Sequence, residues 1–170
     1  MGLTATLTVQ LGLCLVLAQL SLGNRPDKLE LTEEEWKERL TPAQFRITRK
    51  GGTERSFYNK YYWHKKEGVY HCIGCDTPLF SSETKYNSNS GWPAFWAPIV
   101  CPDDNQPNVK LIPVERPDRI FHEAKCITCD AHLGHVFDDG PPPTGLRYCI
   151  NSVALNFTEA PENELEDLEQ

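Results

Sequence analysis

Residues 68–80 read Gly68-Val-Tyr-His-Cys72-Ile-Gly-Cys75-Asp-Thr-Pro78-Leu-Phe80, two short apolar or aromatic runs on either side of a C-x-x-C pair. Runs of this length bounded by Gly, Asp and Pro are strand signals, and two cysteines at this spacing form a knuckle that can present two thiolates to one ion. The pair recurs as Cys126-Ile-Thr-Cys129. Together Cys72, Cys75, Cys126 and Cys129 complete a tetrahedral four-sulfur site with no open position, which favours one structurally held zinc. The site would clip together the whole β-rich stretch between the pairs. Structural disulfides, a dithiol redox pair and structural iron are the competing uses of these residues.

Working outward, the chain from Ser56 to Phe157 alternates apolar runs with turn formers, as at Asn87–Gly91, Pro102–Asn105 and Asp138–Pro143. That texture predicts a mainly β, small antiparallel fold. Expected strands are 69–72, 78–81, 109–115, 119–125, 135–138 and 146–157. In the last, Arg147, Cys149 and Asn151 share one face and Tyr148 and Ile150 the other, yet further on Val153, Leu155 and Phe157 are the apolar set. The phase slips between Asn151 and Val153, which predicts a bulge or bend beside a functional position. Ahead of this region Thr32 and Glu35 form a capping box that opens a short helix over about 33–40, with Trp36 and Leu40 on one face. Thr41-Pro42 opens a second helix, and Gly51-Gly52 ends it.

The first 23 residues carry no charged side chain, and the mostly apolar run Leu11–Leu22 precedes the small Gly23 and the polar Asn24-Arg25-Pro26. This predicts a cleaved signal peptide over 1–23 and entry to the secretory pathway, for secretion or the endoplasmic reticulum lumen. A retained anchor is the alternative, weakened because spanning a bilayer takes about 20 apolar residues. Of 24 acidic residues, six fall within residues 158–170, which leaves 18 against 17 basic ones in everything before. The tail, 158–170, is expected to be disordered. A body so nearly neutral offers no basic face, which argues against nucleic acid or an anionic membrane as main partner.

Two cysteines of the mature chain stand apart from the metal set, Cys149 and Cys101. Cys149, with Arg147 and Asn151 on its face of the strand, has a positive charge and a hydrogen-bond donor to favour a thiolate, so it is the candidate nucleophile; a buried apolar cysteine is the plainer alternative. His132-Leu-Gly-His135 supplies two imidazoles suited to proton transfer. Ser90-Gly-Trp92-Pro-Ala-Phe95 sets aromatics beside Gly and Pro.

Taken in order, the two C-x-x-C pairs, Ser-Gly-Trp-Pro-Ala-Phe, His-Leu-Gly-His-Val-Phe-Asp-Asp-Gly-Pro and Leu-Arg-Tyr-Cys-Ile-Asn-Ser closely resemble the B-type methionine sulfoxide reductases. The resemblance covers about Leu31 through Phe157 and implies two antiparallel sheets with N-terminal helices, a structural zinc, and thiol-dependent reduction of methionine R-sulfoxide in oxidised proteins. It implies that Cys149 is catalytic, that His132, His135 and Asn151 are its polar companions, and that Trp92 and Phe137, with Arg147 nearby, bind the substrate. Residues 24–157 would then be one reductase domain, working as a monomer. A sulfenic acid left on Cys149 must condense with a thiol. In one common family pattern a resolving cysteine precedes Gly-Trp-Pro; here that residue is Ser90. Reduction then falls to an external dithiol such as thioredoxin, or to Cys101, which lies in a turn-rich stretch expected to be a mobile surface loop.

Two other classes compete. A zinc-clipped binding module could line an aromatic cage with Trp92 and Phe95, but needs no nucleophile. A cysteine hydrolase wants an acid to orient His132 or His135 and an oxyanion hole, and the sequence pattern reveals neither.

Overall fold

The computed structural model describes residues 27–116 and 119–161. The expected signal peptide, and the acidic tail from residue 162 on, lie outside the described residues.

Both helices stand where their caps predict. Helix α1 (Glu33–Arg39) has the Thr32–Glu35 box in full, and α2 (Pro42–Lys50) has a second box, Thr41 with Gln44, and ends at Gly51 in left-handed backbone, φ 66°. Among the described residues no helix is long and apolar enough to cross a membrane.

The strands are β1 (Gly68–Cys72), β2 (Pro78–Ser81), β3 (Lys85–Tyr86), β4 (Ala94–Phe95), β5 (Val109–Arg116), β6 (Arg119–Cys126), β7 (His132–Phe137), β8 (Arg147–Ile150) and β9 (Leu155–Glu159). They form two antiparallel sheets, one of three strands in the order β2-β1-β9 and one of six in the order β3-β4-β8-β7-β6-β5. Strands β3 and β4 escape the sequence pattern because two residues are too few to show an alternation.

The predicted strand 146–157 is two strands in different sheets. A 3-10 turn, Ser152–Ala154, separates β8 from β9 at the predicted phase slip, so the side-chain phase resets as the chain changes sheets. The turn is held by Glu54, whose carboxylate accepts the backbone N–H of both Ser152 and Val153. Strand β9 runs to Glu159, two residues past the predicted end of the domain; Glu159 pairs with Gly68, and the Ala160 N–H donates to the Glu67 carbonyl.

Between the sheets lies an aromatic and aliphatic core in which Tyr70, Leu79, Phe80, Phe95, Leu133 and Ile150 are fully buried. Phe80 stacks on Phe95 at 4.4 Å between centroids, and Tyr70 meets Phe95 edge-on at 5.1 Å. Burying each such side chain contributes roughly 1.5–3 kcal/mol. Trp36 and Ile47 bring α1 and α2 into the same core.

Candidate functional site

The four paired cysteines converge. The sulfurs of Cys72, Cys75, Cys126 and Cys129 all lie within 4.8 Å of one another, with Cys72 to Cys129 at 3.6 Å and Cys75 to Cys126 at 3.5 Å, and all four are free thiols. Four sulfurs about 2.3 Å from a central ion stand about 3.8 Å apart, so the cluster has the dimensions of a metal site and not of two disulfides.

Each knuckle is built alike. The N–H of Asp76 donates to the Cys72 carbonyl and that of Asp130 to the Cys126 carbonyl; both aspartates adopt positive φ, 61° and 59°. Asp tolerates this backbone better than most residues, which explains an Asp after each second cysteine. The helices brace the knuckles: Arg39 donates to the Gly74 carbonyl, Arg49 to that of Cys129, and the Arg49 guanidinium lies 4.5 Å over the Trp36 ring.

Across the six-stranded sheet the register brings the remaining chemistry into line. Cys149 on β8 pairs with Ala94 on β4 and with His135 on β7, and His135 pairs with Glu123 on β6. Directly paired residues share a face, so thiol, imidazole and carboxylate stand in one row. The close approach of β7 and β8 requires Gly134, where a Cβ would come within 2.1 Å of the Cys149 carbonyl oxygen.

At Cys149 opens a cavity of about 170 Å³, walled by Trp92, His135, Phe137, Asn151, Gly134 and Thr53. The Trp92 indole is oriented by a hydrogen bond to the Glu54 carbonyl. Phe137 is covered by the Arg147 guanidinium at 4.4 Å, and two hydrogen bonds from Arg147 to the Asp139 carboxylate, 2.7 and 2.8 Å, hold that arginine in place. Burial pushes the Cys149 thiol up from its ordinary pKa, while the Ser90 hydroxyl, at 3.7 Å, and the Arg147 guanidinium pull it down.

The two histidines differ in station. His135 lines the cavity; His132 is buried, its ring 5.4 Å from that of His135. His132 Nδ1 lies 2.7 Å from Glu123 Oε1, and its Nε2 is buried with no partner among the described residues. An acid therefore does orient a histidine, contrary to the sequence expectation: Glu123 comes from a neighbouring strand, and its pattern carried no signal. Asn151 also lines the cavity, but its amide is tied to the frame, Oδ1 accepting the Glu54 N–H and Nδ2 donating to the Leu133 carbonyl.

Phe95 is fully buried in the core and cannot line a cage, which removes the binding-module geometry. The stretch after Cys101 is an exposed turn, residues 102–107, but Cys101 itself is buried, and its N–H and carbonyl close that turn with Gln106 and Asn105. That turn feeds β5, three strands along from β8.

Comparison with known proteins adds a family to this geometry. The SelR domain matches residues 40–159. A peptide methionine sulfoxide reductase MsrB of Thioalkalivibrio sulfidiphilus is 50% identical over 140 residues, covering 82% of this chain and 98% of that protein. One of Pseudomonas savastanoi pv. phaseolicola is 56% identical over 131 residues, 77% of this chain and 96% of that protein. The chloroplastic peptide methionine sulfoxide reductase B1 of Arabidopsis thaliana is 52% identical over 127 residues, 75% of this chain and 60% of that protein.

Proposed function

The chain belongs to the B-type peptide methionine sulfoxide reductases, and from that premise we propose that Cys149 takes the sulfoxide oxygen from R-epimer methionine sulfoxide in oxidised proteins. The observation that carries this reading is the composition of the Cys149 cavity: one thiol, one imidazole and two aromatic walls.

A sulfoxide sulfur becomes electrophilic when its oxygen is protonated or strongly hydrogen-bonded. With the S-methyl group against Trp92 and Phe137, the oxygen faces His135, which donates the proton while Cys149 sulfur attacks. The S–O oxygen ends on Cys149 as a sulfenic acid, and the two electrons that the thiol gives up reduce the substrate to methionine. Because methyl and oxygen go to unlike walls, only one arrangement about the chiral sulfur is productive. Glu123 holds His132 behind His135, Asp139 holds Arg147 over Phe137, and Asn151, its amide fixed to the Glu54 and Leu133 backbone, lines the cavity beside Cys149. Two external thiols then return Cys149 to the thiol, releasing water and a disulfide; a thioredoxin-like dithiol is the reductant, with Cys101 the internal alternative.

Zinc is the ion that suits four thiolates in this arrangement, held by Cys72, Cys75, Cys126 and Cys129; a closed set of thiolates supplies folding energy and no open position for substrate. The enzyme is a monomer of one domain, and the leader sends it along the secretory route.

Purified protein with dithiothreitol should reduce N-acetyl methionine R-sulfoxide amide and leave the S epimer. Equal rates on the two epimers would overturn the reading.

A further inference from the structure

Among the described residues five large hydrophobic side chains are prominently exposed, and three of them, Phe57, Tyr58 and Trp63 at 52%, 77% and 66%, fall in one loop. Scattered exposed apolar residues are ordinary; a cluster of aromatics marks a contact surface. Phe57 has φ 64°, a region that bulky residues enter only where surrounding structure compels it.

What compels it is the turn from Asn87 to Gly91. The Phe57 N–H and the Asn59 side-chain amide both donate to the Gly91 carbonyl at 2.7 Å, and the Tyr62 hydroxyl reaches the Asn87 side chain. Ser90, next to Gly91, lies against the Cys149 sulfur. The aromatic loop is thus continuous with the rim of the Cys149 cavity. On its other side is a second cavity, about 260 Å³, walled by Trp63, His64, Lys65, Lys66, Lys85 and Tyr86.

That second cavity is basic, a local cluster of Lys65, Lys66 and Lys85 that the near-neutral composition of the body did not reveal. Lys66 pairs with Glu159, while no described carboxylate pairs with Lys60, Lys65 or Lys85. Burial chiefly, and then the charges of Lys85, Lys66 and Lys60, hold His64 below its ordinary pKa; Lys85 is lowered in the same way by burial and then by Lys65. The lysines impose a positive potential on the groups among them, in a chain whose net charge is −7.

We propose that this aromatic and basic surface receives the polypeptide flanking the oxidised methionine and favours substrates carrying Asp or Glu there. The flanking backbone lies across Phe57 and Trp63, and the acidic side chain enters the lysine-walled cavity. The inference rests on the reading of Cys149 as the reductase nucleophile and adds the class of protein substrate.

The test compares three peptides containing methionine R-sulfoxide, flanked by glutamate, alanine or lysine, together with N-acetyl methionine R-sulfoxide amide. The wild type should show the lowest KM for the acidic peptide. Lys65→Glu and Trp63→Ala should each raise that KM by about fivefold at unchanged kcat, the size of a rim charge or contact effect. Neither should alter turnover of the small amide, and the Lys65→Glu effect should fade as salt shortens the screening length to a few ångströms, about 3 Å at 1 M. Equal KM for the three peptides in the wild type overturns the proposal. So does an equal loss on the small amide, which would mean damage to the catalytic site. A further arm replaces Glu162, Glu164 and Glu166 by Gln in the full chain; if that abolishes the Lys65→Glu effect, the chain's own tail is the acidic occupant and the proposal falls. Failure of the wild type to reduce even the small amide would sink the reductase reading itself, an outcome distinct from these.

Discussion

The Ser90 hydroxyl lies 3.7 Å from the Cys149 sulfur, the thiol that the Trp92, His135 and Phe137 cavity surrounds. A residue at this point either stabilises a thiolate, as a hydroxyl does by donating a hydrogen bond, or condenses with a sulfenic acid, as a second thiol does. In the proposed cycle, the side chain at position 90 therefore bears on how Cys149 is recycled.

Ser90→Cys should convert the enzyme to an internal-disulfide cycle. One equivalent of methionine sulfoxide without reductant should produce, in the variant, a disulfide between the introduced thiol and Cys149 and, in the wild type, a sulfenic acid that a dimedone probe traps. A disulfide needs its Cα atoms within about 7 Å. Peptide mapping that finds a wild-type Cys101–Cys149 disulfide would show that the buried Cys101 thiol swings out and acts as the resolver.

Alkylation of Cys149 should report its environment. Its thiol is raised by burial, so the thiolate fraction at neutral pH is small and the iodoacetamide rate should climb with pH through that raised value. Arg147→Met removes a charge that favours the thiolate, and the curve should move to higher pH. Movement to lower pH would contradict the role given to Arg147. Cys149→Ser should fold normally and lose turnover.

Glu123→Gln keeps the shape of the side chain and removes the charge beside His132 Nδ1. A drop in kcat of about tenfold with little change in KM is expected, within the range of general acid–base contributions. The pH profile of kcat should shift, and the melting temperature should hold. A variant that only melts lower, with its pH profile unmoved, would make the pair structural.

Glu54 gives a pH signature in stability. Burial raises its carboxyl above the ordinary value despite two backbone donors. The folded state then binds this proton more tightly than the unfolded state does, so this group's contribution to stability is largest below its unfolded pKa and is lost as pH rises through the raised one. Glu54→Gln should abolish that decline. It also exchanges one carboxylate acceptor for an amide that cannot accept, at a cost of about 1–3 kcal/mol. Calorimetric scans across the acid range check both, and an unchanged pH dependence would reject the assignment.

Metal content should be about one zinc per chain, unchanged after many turnovers, as expected of a closed site. Chelation or Cys126→Ser should unfold the domain, because ligand binding and folding are linked. A metal-free protein with its melting temperature and activity intact would remove the structural role.

Local signals reached far into this molecule. Thr32 and Glu35, three residues apart, open α1, and Thr41-Pro42 opens α2, because caps act within one helical turn. Two cysteine pairs announced a four-sulfur cluster because each knuckle needs only its own few residues, and the phase slip at Asn151–Val153 marked the point where the chain changes sheets. What the sequence withheld depends on contacts between distant residues. Glu54 meets Ser152 and Val153 across almost the whole domain, so nothing near either one names the other. Glu123 reaches His132 only through the register of β6 on β7. The unlike stations of His132 and His135, one behind the cavity and one lining it, follow from where the packed sheet buries each ring. Residue types and short spacings state which chemistry is available; strand register and burial decide which atoms face one another, since a contact between residues far apart exists only once the sheets have closed.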